Sequence, residues 1–324
     1  MIKLVNRTVL SRVVILAMSI LSPLLASAQE YPVRPVRLVI PFAPGTGIDA
    51  VGRMLAQQLA ADLGQPIVVD NRPGASGIIG AEFVAKAAPD GHTLLFAAGS
   101  IFSLNPILFA KLPYDGVKSF TPVSFVYSQP FVVATSLKVP AKTLPELVSL
   151  AREKPDTLTA GSVGAFHVLA TQYFANTTKT RFVNVPYKSG TMVALLAGEI
   201  DVMVEVISLV VPQSKAGKIR ALAVTSEKRM PNAPDVPTMI ELGYPGFEMS
   251  TWSALVGPAN MQRSIADKLN AAVAKAILSR ELVDLANTQG IRLAGSTPEQ
   301  LVQTIRAETT RWQSVARDAG ITPQ

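Results

Sequence analysis

The chain has 324 residues, 48% of them hydrophobic and 16% charged, with 24 prolines, 21 glycines, no cysteine and a formal net charge of +7. That length predicts two compact domains, and the composition excludes a disordered or low-complexity polymer. The missing cysteines exclude disulfides, thiol nucleophiles and thiolate metal sites.

In chain order, Lys3, Arg7 and Arg12 precede an apolar run from Val13 to Leu25 that ends in Ala26-Ser27-Ala28. This is the pattern of a cleaved secretory leader over residues 1–28, its apolar core too short to span a bilayer. Cleavage removes three positive charges and no acidic ones, taking the net charge from +7 to +4. With no run of Lys and Arg interleaved with aromatics, nucleic acid is not an expected partner, while small anions suit the mildly basic remainder.

The next elements read as a strand Arg37 to Phe42 and a helix Ile48 to Leu63, with Ile48, Val51, Leu55 and Leu59 at helical spacing before Gly64. A strand Ile67 to Asp70, a turn at Asn71-Arg72-Pro73-Gly74, a helix near Gly77 to Ala87 and a strand Thr93 to Ala97 follow. Alternating strands and helices predict a parallel sheet.

The alternation returns with Phe131 to Ala134, a helix from Leu144 with a capping-box pattern at Thr143 and Glu146, then Thr159 to Gly161 and a helix through His167 to Asn176. Strands Phe182 to Val185, Asp201 to Val206 and Ile219 to Thr225 complete a second α/β unit. Phe120 to Gln129 and Phe247 to Val256 are extended, apolar and placed as crossings between domains. The tail has a helical stripe Ile265, Leu269, Val273, Ile277, and a second capping box opens at Thr297. The expected division is therefore domain 1 over 29–125 and 251–324, and domain 2 over 126–250.

The loop from Phe42 through Ala43, Pro44, Gly45, Thr46 and Gly47 to Asp49 lies between the first strand and its helix, where open α/β sheets bind ligands. Backbone amides and the positive helix end favour an anion there, with Gly45 and Gly47 admitting close approach. It lacks the G-K-[ST] ending of a Walker loop and the G-x-G-x-x-G of a dinucleotide fold, so no nucleotide cofactor is expected. Gly99-Ser100, Ser162 and Gly164, and Glu205 stand at other strand ends, with Phe42, Phe102 and Phe166 as candidate walls. Only His92 and His167 exist, neither at metal-ligand spacing, so no metal is expected. His92 reads as a strand-start residue and His167 as one that orients its glycine loop or touches ligand. A hydrolase using Ser100 or Ser162 stays open on these residues alone, although no G-x-S-x-G elbow occurs.

The segments YPVRPVRLVIPFAPGTGID, VVDNRPGASGIIGAEFVAKAAPDGHTLLF, NPILFAKLPYD, VPYKSG, GEIDVM, KAGKIRALAVTS and DVPTMIELGYPGFE occur in that order. In them the chain resembles the Bug receptors, the extracytoplasmic solute receptors of tripartite tricarboxylate transporters, from about Tyr31 to Gly320. The resemblance implies a two-domain Venus-flytrap binding protein, each domain a mainly parallel sheet flanked by helices. It implies a periplasmic receptor, not an enzyme, that captures a small carboxylate or related amphiphilic metabolite and delivers it to membrane transporter subunits. A receptor that feeds a signalling partner is the alternative delivery route; no cofactor is expected, and a monomer is the expected state.

Carried over, the family's loop and its aspartate fall on Ala43, Pro44, Gly45, Thr46 and Asp49. Its second glycine-rich stretch falls on Gly161 to His167, including Gly164 and Ala165, and its acidic strand end on Glu205. The chain departs from the pattern in four places. Ala43 replaces a second proline, Thr46-Gly47-Ile48 replaces a glycine, a variable residue and threonine, and Glu205-Val206 stands where aspartate-asparagine is frequent. The stretch before His167 is also one residue short.

Overall fold

A computed structural model describes residues 31–323; the leader expected over 1–28 lies outside them. The first sheet has the order β2 (Ile67–Asn71), β1 (Val36–Ile40), β3 (Thr93–Ala98), β9 (Ser250–Pro258), β4 (Phe120–Ser136). β1 pairs in parallel with β2 and β3, and β9 is antiparallel to β3 and β4. Val36, Leu38, Val39 and Ile40 are all fully buried, because a parallel strand between two neighbours is covered on both faces.

The second sheet places β5 (Thr159–Val163) between β6 (Val183–Tyr187) and β7 (Val202–Val206), all parallel. The far end of β4 joins it, antiparallel to β7 and β8 (Ile219–Val224). β4 is thus shared by two sheets. Its residues 120–130 pair with β9 and its residues 131–136 with β7 and β8. The expected crossing Phe120 to Gln129 and the expected strand Phe131 to Ala134 are one strand, and the second crossing is mostly β9 itself. Pro122 adjoins a register shift and Pro130 the change of partner, as suits a residue with no N–H for the ladder.

The first helix, Gly47–Leu63, buries Ile48, Val51, Leu55 and Leu59. Its Gly52 is bare of necessity: a Cβ there would come within 2.5 Å of Ile40 Cδ1, so helix and sheet touch through backbone. At Thr143 the hydroxyl accepts from Glu146 N–H (3.4 Å), but the Glu146 carboxylate accepts from the Lys142 amide (2.7 Å), so the expected capping box is only half formed. The box at Thr297 and Gln300 is complete.

The helix it opens, Pro298–Asp318, does more than rejoin the first domain. Leu301 and Ile305 sit in a core cluster with Phe102 and Trp252, while Trp312, Val315 and Ala316 sit in one with Phe131, Val204 and Phe247. It is a strap across both sheets. Among the described residues no helix is long and apolar enough to cross a membrane.

Candidate functional site

A cavity of about 600 Å³ opens off the carboxyl ends of four parallel strands, two sheets contributing to one space. Pro41, Phe42 and Ala43 follow β1, Pro73, Gly74, Ser76 and Gly77 follow β2, Ser100 follows β3, and Val163 and Phe166 come from the end of β5. Leu104, Asn105, Leu108 and Phe109 add a wall from the short helices Gly99–Ser103 and Asn105–Leu108 and their flanks, and Ile321 and Thr322 close it from the C-terminal tail.

The first loop is held by a buried carboxylate. Asp49, 3% exposed, accepts from the Gly45 amide (2.9 Å), Arg53 Nε (3.0 Å) and Asn71 Nδ2 (2.8 Å). Asn71 Nδ2 also reaches the Phe42 carbonyl (3.1 Å), and Arg53 Nη2 donates to Asn71 Oδ1 (2.7 Å). Burial opposes the charge on Asp49, but the bonds from Arg53, Gly45 and Asn71 outweigh it and hold its pKa below the ordinary value.

The Gly45 amide, expected as a free donor to an anion, is therefore spent inside the loop. Gly45 is required for its conformation, left-handed at φ 83°, whereas a Cβ at Gly47 would make only an ordinary contact. The Thr46 hydroxyl turns back to the Ala43 carbonyl (2.8 Å) and does not cap the helix, so the first helical turn keeps its own amide donors without a side-chain partner.

The second-sheet corner is a histidine and a glutamate. His167 Nδ1 faces the Val163 carbonyl (2.8 Å) and Nε2 faces Glu205 Oε2 (3.0 Å), while Glu205 Oε1 accepts from the Val206 amide (2.8 Å). Both ring nitrogens thus meet oxygen acceptors, an arrangement satisfied when the ring carries two protons. Desolvation pulls the His167 pKa down, yet the Glu205 hydrogen bond and charge prevail and raise it above 6.5.

Of the residues singled out in the sequence, Phe42, Ala43, Ser100 and Phe166 line the cavity. Pro44, Gly45, Thr46 and Gly47 form the exposed outer part of the loop, and Asp49 is its buried anchor. Gly99 serves packing: a Cβ there would lie 2.1 Å from Trp252. Phe102, expected as a wall, is core, stacked on Trp252 and edge-on to Phe120.

Ser162 is buried in β5, and His167 and Glu205 lie off the lining, occupied with each other. Gly164 and Ala165 open the helix Gly164–Thr178; their surroundings lie outside the described residues. His92 is buried at the turn before β3, with its backbone amide on Asp90 (2.9 Å), away from the cavity. No group of three or more His, Asp or Glu able to hold a metal occurs among the described residues.

Sequence reasoning missed Ser76, Asn105 and the tail. Four consecutive small residues, Gly74-Ala75-Ser76-Gly77, at the end of β2 were a usable sign, since all four take positive φ. Asn105, 3% exposed, ties that turn down by donating to the Ser76 carbonyl (3.1 Å). Nothing local marks Ile321 and Thr322 as lining residues.

With the geometry in view, the chain matches the model of the tripartite tricarboxylate transporter family receptor over residues 51–321. Protein BugT of Bordetella pertussis is 35% identical over 299 residues, 91% of this chain and 92% of that protein. R. palustris Rpa4515, solved with adipate, is 32% identical with a TM-score of 0.79, covering 91% of this chain and 100% of that one. MatC from Rhodopseudomonas palustris, solved with bound malate, is 34% identical with a TM-score of 0.73, covering 88% and 99%.

Proposed function

Because the chain belongs to the Bug family of tripartite tricarboxylate transporter receptors, solute-binding proteins of two-domain architecture and not enzymes, we propose that it captures a small carboxylate in the cavity between its two sheets. Adipate and malate in two similar structures are the precedent for the ligand class. One observation supports the reading most: loops from the carboxyl ends of strands in both sheets converge on a single cavity containing serine hydroxyls. No titratable side chain lies among the residues that line the cavity with Ser100, which gives a hydrolase reading no support there.

On this reading the domain changeovers are hinges, at Pro130 to Phe131 in β4 and just before Ser250 in β9. Closure brings Val163 and Phe166 toward Phe42 and Ser100 and is favoured by contacts the ligand makes only in the shut form. The loaded receptor acts in the periplasm, exported by the leader over 1–28, and docks transiently on transporter subunits. Titration calorimetry against a broad panel of mono- and dicarboxylates is the test. The expected result is one-to-one binding by at least one acid, a raised melting temperature and no product. Absence of binding by every acid removes the proposal.

A further inference from the structure

One corner of the cavity is backed by a histidine. Val163 and Phe166 form the second-sheet side of the space, and His167 touches both. Its Nδ1 faces the Val163 carbonyl at 2.8 Å, and its ring meets Phe166 edge-on with centroids 5.6 Å apart. Phe166 also packs against Phe131 (5.2 Å), where β4 changes sheets, and against Trp312 of the strap helix (5.8 Å). Wall, crossing strand and strap therefore meet at one side chain.

The other ring nitrogen ties this corner to a charge. Nε2 faces Glu205 Oε2 at 3.0 Å, so both nitrogens address oxygen acceptors, and only the imidazolium donates to both. Loss of either proton sets a nitrogen lone pair against an oxygen and strips the largely buried Glu205 carboxylate of its counter-ion.

The charged group facing the ring is Glu205, from β7. β5 carries no titratable side chain, while β6 ends in Tyr187 opposite Val163, with Lys188 next. In the strap helix Glu308 takes Trp312 Nε1 (2.8 Å) and pairs with Arg311, whose Nη1 also reaches the Glu248 carbonyl (2.6 Å). The helix Gly164–Thr178 holds no other titratable group than Tyr173, and its positive end opposes charge on the ring. The proton thus depends on Glu205.

Resting on the carboxylate-receptor reading, we propose that His167 is a positioning residue for capture: the imidazolium held between Val163 and Glu205 sets the Val163 and Phe166 wall, and its deprotonation loosens that wall and weakens carboxylate binding. The ring lies off the lining, so it acts through the wall and not by touching the guest. The uncompensated Glu205 charge that deprotonation leaves near this corner acts in the same direction on an anion. Affinity for an ionised acid is therefore highest below the folded pKa of His167, which lies above 6.5, and falls as pH rises through it.

Imidazole and methyl NMR of the ligand-free protein from about pH 5.5 to about pH 9 tests the positioning directly. His167 is expected to carry both N–H protons at the acid end, and the Val163 methyl signals to move with the same midpoint. Glu205→Gln, which keeps the shape and removes the charge, is expected to carry both midpoints to lower pH. Val163 signals that stay still while His167 titrates, or midpoints that Glu205→Gln leaves in place, overturn the inference.

Calorimetry with adipate and malate, both ionised from about pH 6.5 upward, tests its consequence for binding. Binding is expected to be at least about fivefold weaker at about pH 8.5 than at about pH 6.5, with a flat profile in His167→Gln. Equal affinity at the two pH values, or a fall that persists in His167→Gln, overturns the inference and leaves the carboxylate-receptor reading intact. Absence of binding by both acids at every pH counts against that reading, and the NMR titration then decides the positioning by itself.

Discussion

At the scale of single residues, charge is used in this molecule to hold loops, and the lining of the cavity is left neutral. Asp49 stays ionised while 3% exposed because three donors converge on it, and the result is a fixed first loop. The His167 and Glu205 pair fixes the second corner in the same way, and it makes stability depend on pH. An unfolded histidine titrates near 6.5, whereas His167 in the fold titrates higher, the Glu205 bond overcoming desolvation. The extra stability is therefore fully present below the unfolded pKa and fades as pH rises through the folded one. Thermal melts of the wild type and His167→Gln from about pH 5.5 to about pH 8.5 should show a difference that shrinks with rising pH. A gap that stays constant across that range would refute the charged pairing. Both residues were recognisable in the sequence, Glu205 as a strand-end group and His167 as one that orients its glycine loop or touches ligand. That they are spent on each other could not be read there, because the 38 positions separating them are bridged only by folding.

At the scale of elements, periodicity and turn chemistry located most strands and helices, since apolar spacing and capping signals act within a few residues. What escaped was the continuity of β4. Its second half resembles a new strand because Pro130 interrupts the pattern, yet the chain runs straight from one sheet into the other. Thr225 secures that passage. Its hydroxyl accepts from the Phe131 amide (2.9 Å) and contacts the Met249 carbonyl, and its own amide donates to the Phe131 carbonyl (3.0 Å). One buried side chain thus joins both segments that pass between the sheets. Thr225→Val leaves the Phe131 N–H without its acceptor and should cost about 1–3 kcal/mol in urea denaturation. A loss below a few tenths of a kcal/mol would show that the ladder closes without the hydroxyl.

At the scale of the whole molecule, the strap helix Pro298–Asp318 joins the two cores, so the sheets are expected to unfold together. Trp312, 3% exposed, is its anchor in the second core, with Nε1 on Glu308 (2.8 Å) and rings Phe166 and Tyr173 packed around it. Truncating so large a buried side chain typically costs about 3–5 kcal/mol, and Trp312→Ala should lose about that in chemical denaturation. A smaller loss together with an unchanged single transition would mean that β4 alone couples the domains. The same helix carries the tail to the cavity, which is why a wall residue lies far along the chain from the loop it faces.

By itself the sequence determined the order of most strands and helices, the absence of thiol chemistry and the family resemblance, all consequences of composition, spacing and short motifs. Only the tertiary structure decided that Gly45 gives its amide to Asp49, that Phe102 is core and Phe166 a wall, and that Ser76, Asn105 and Ile321 share one space with Phe42. Those outcomes follow from packing between segments distant along the chain, and local periodicity carries no record of which distant surfaces will meet.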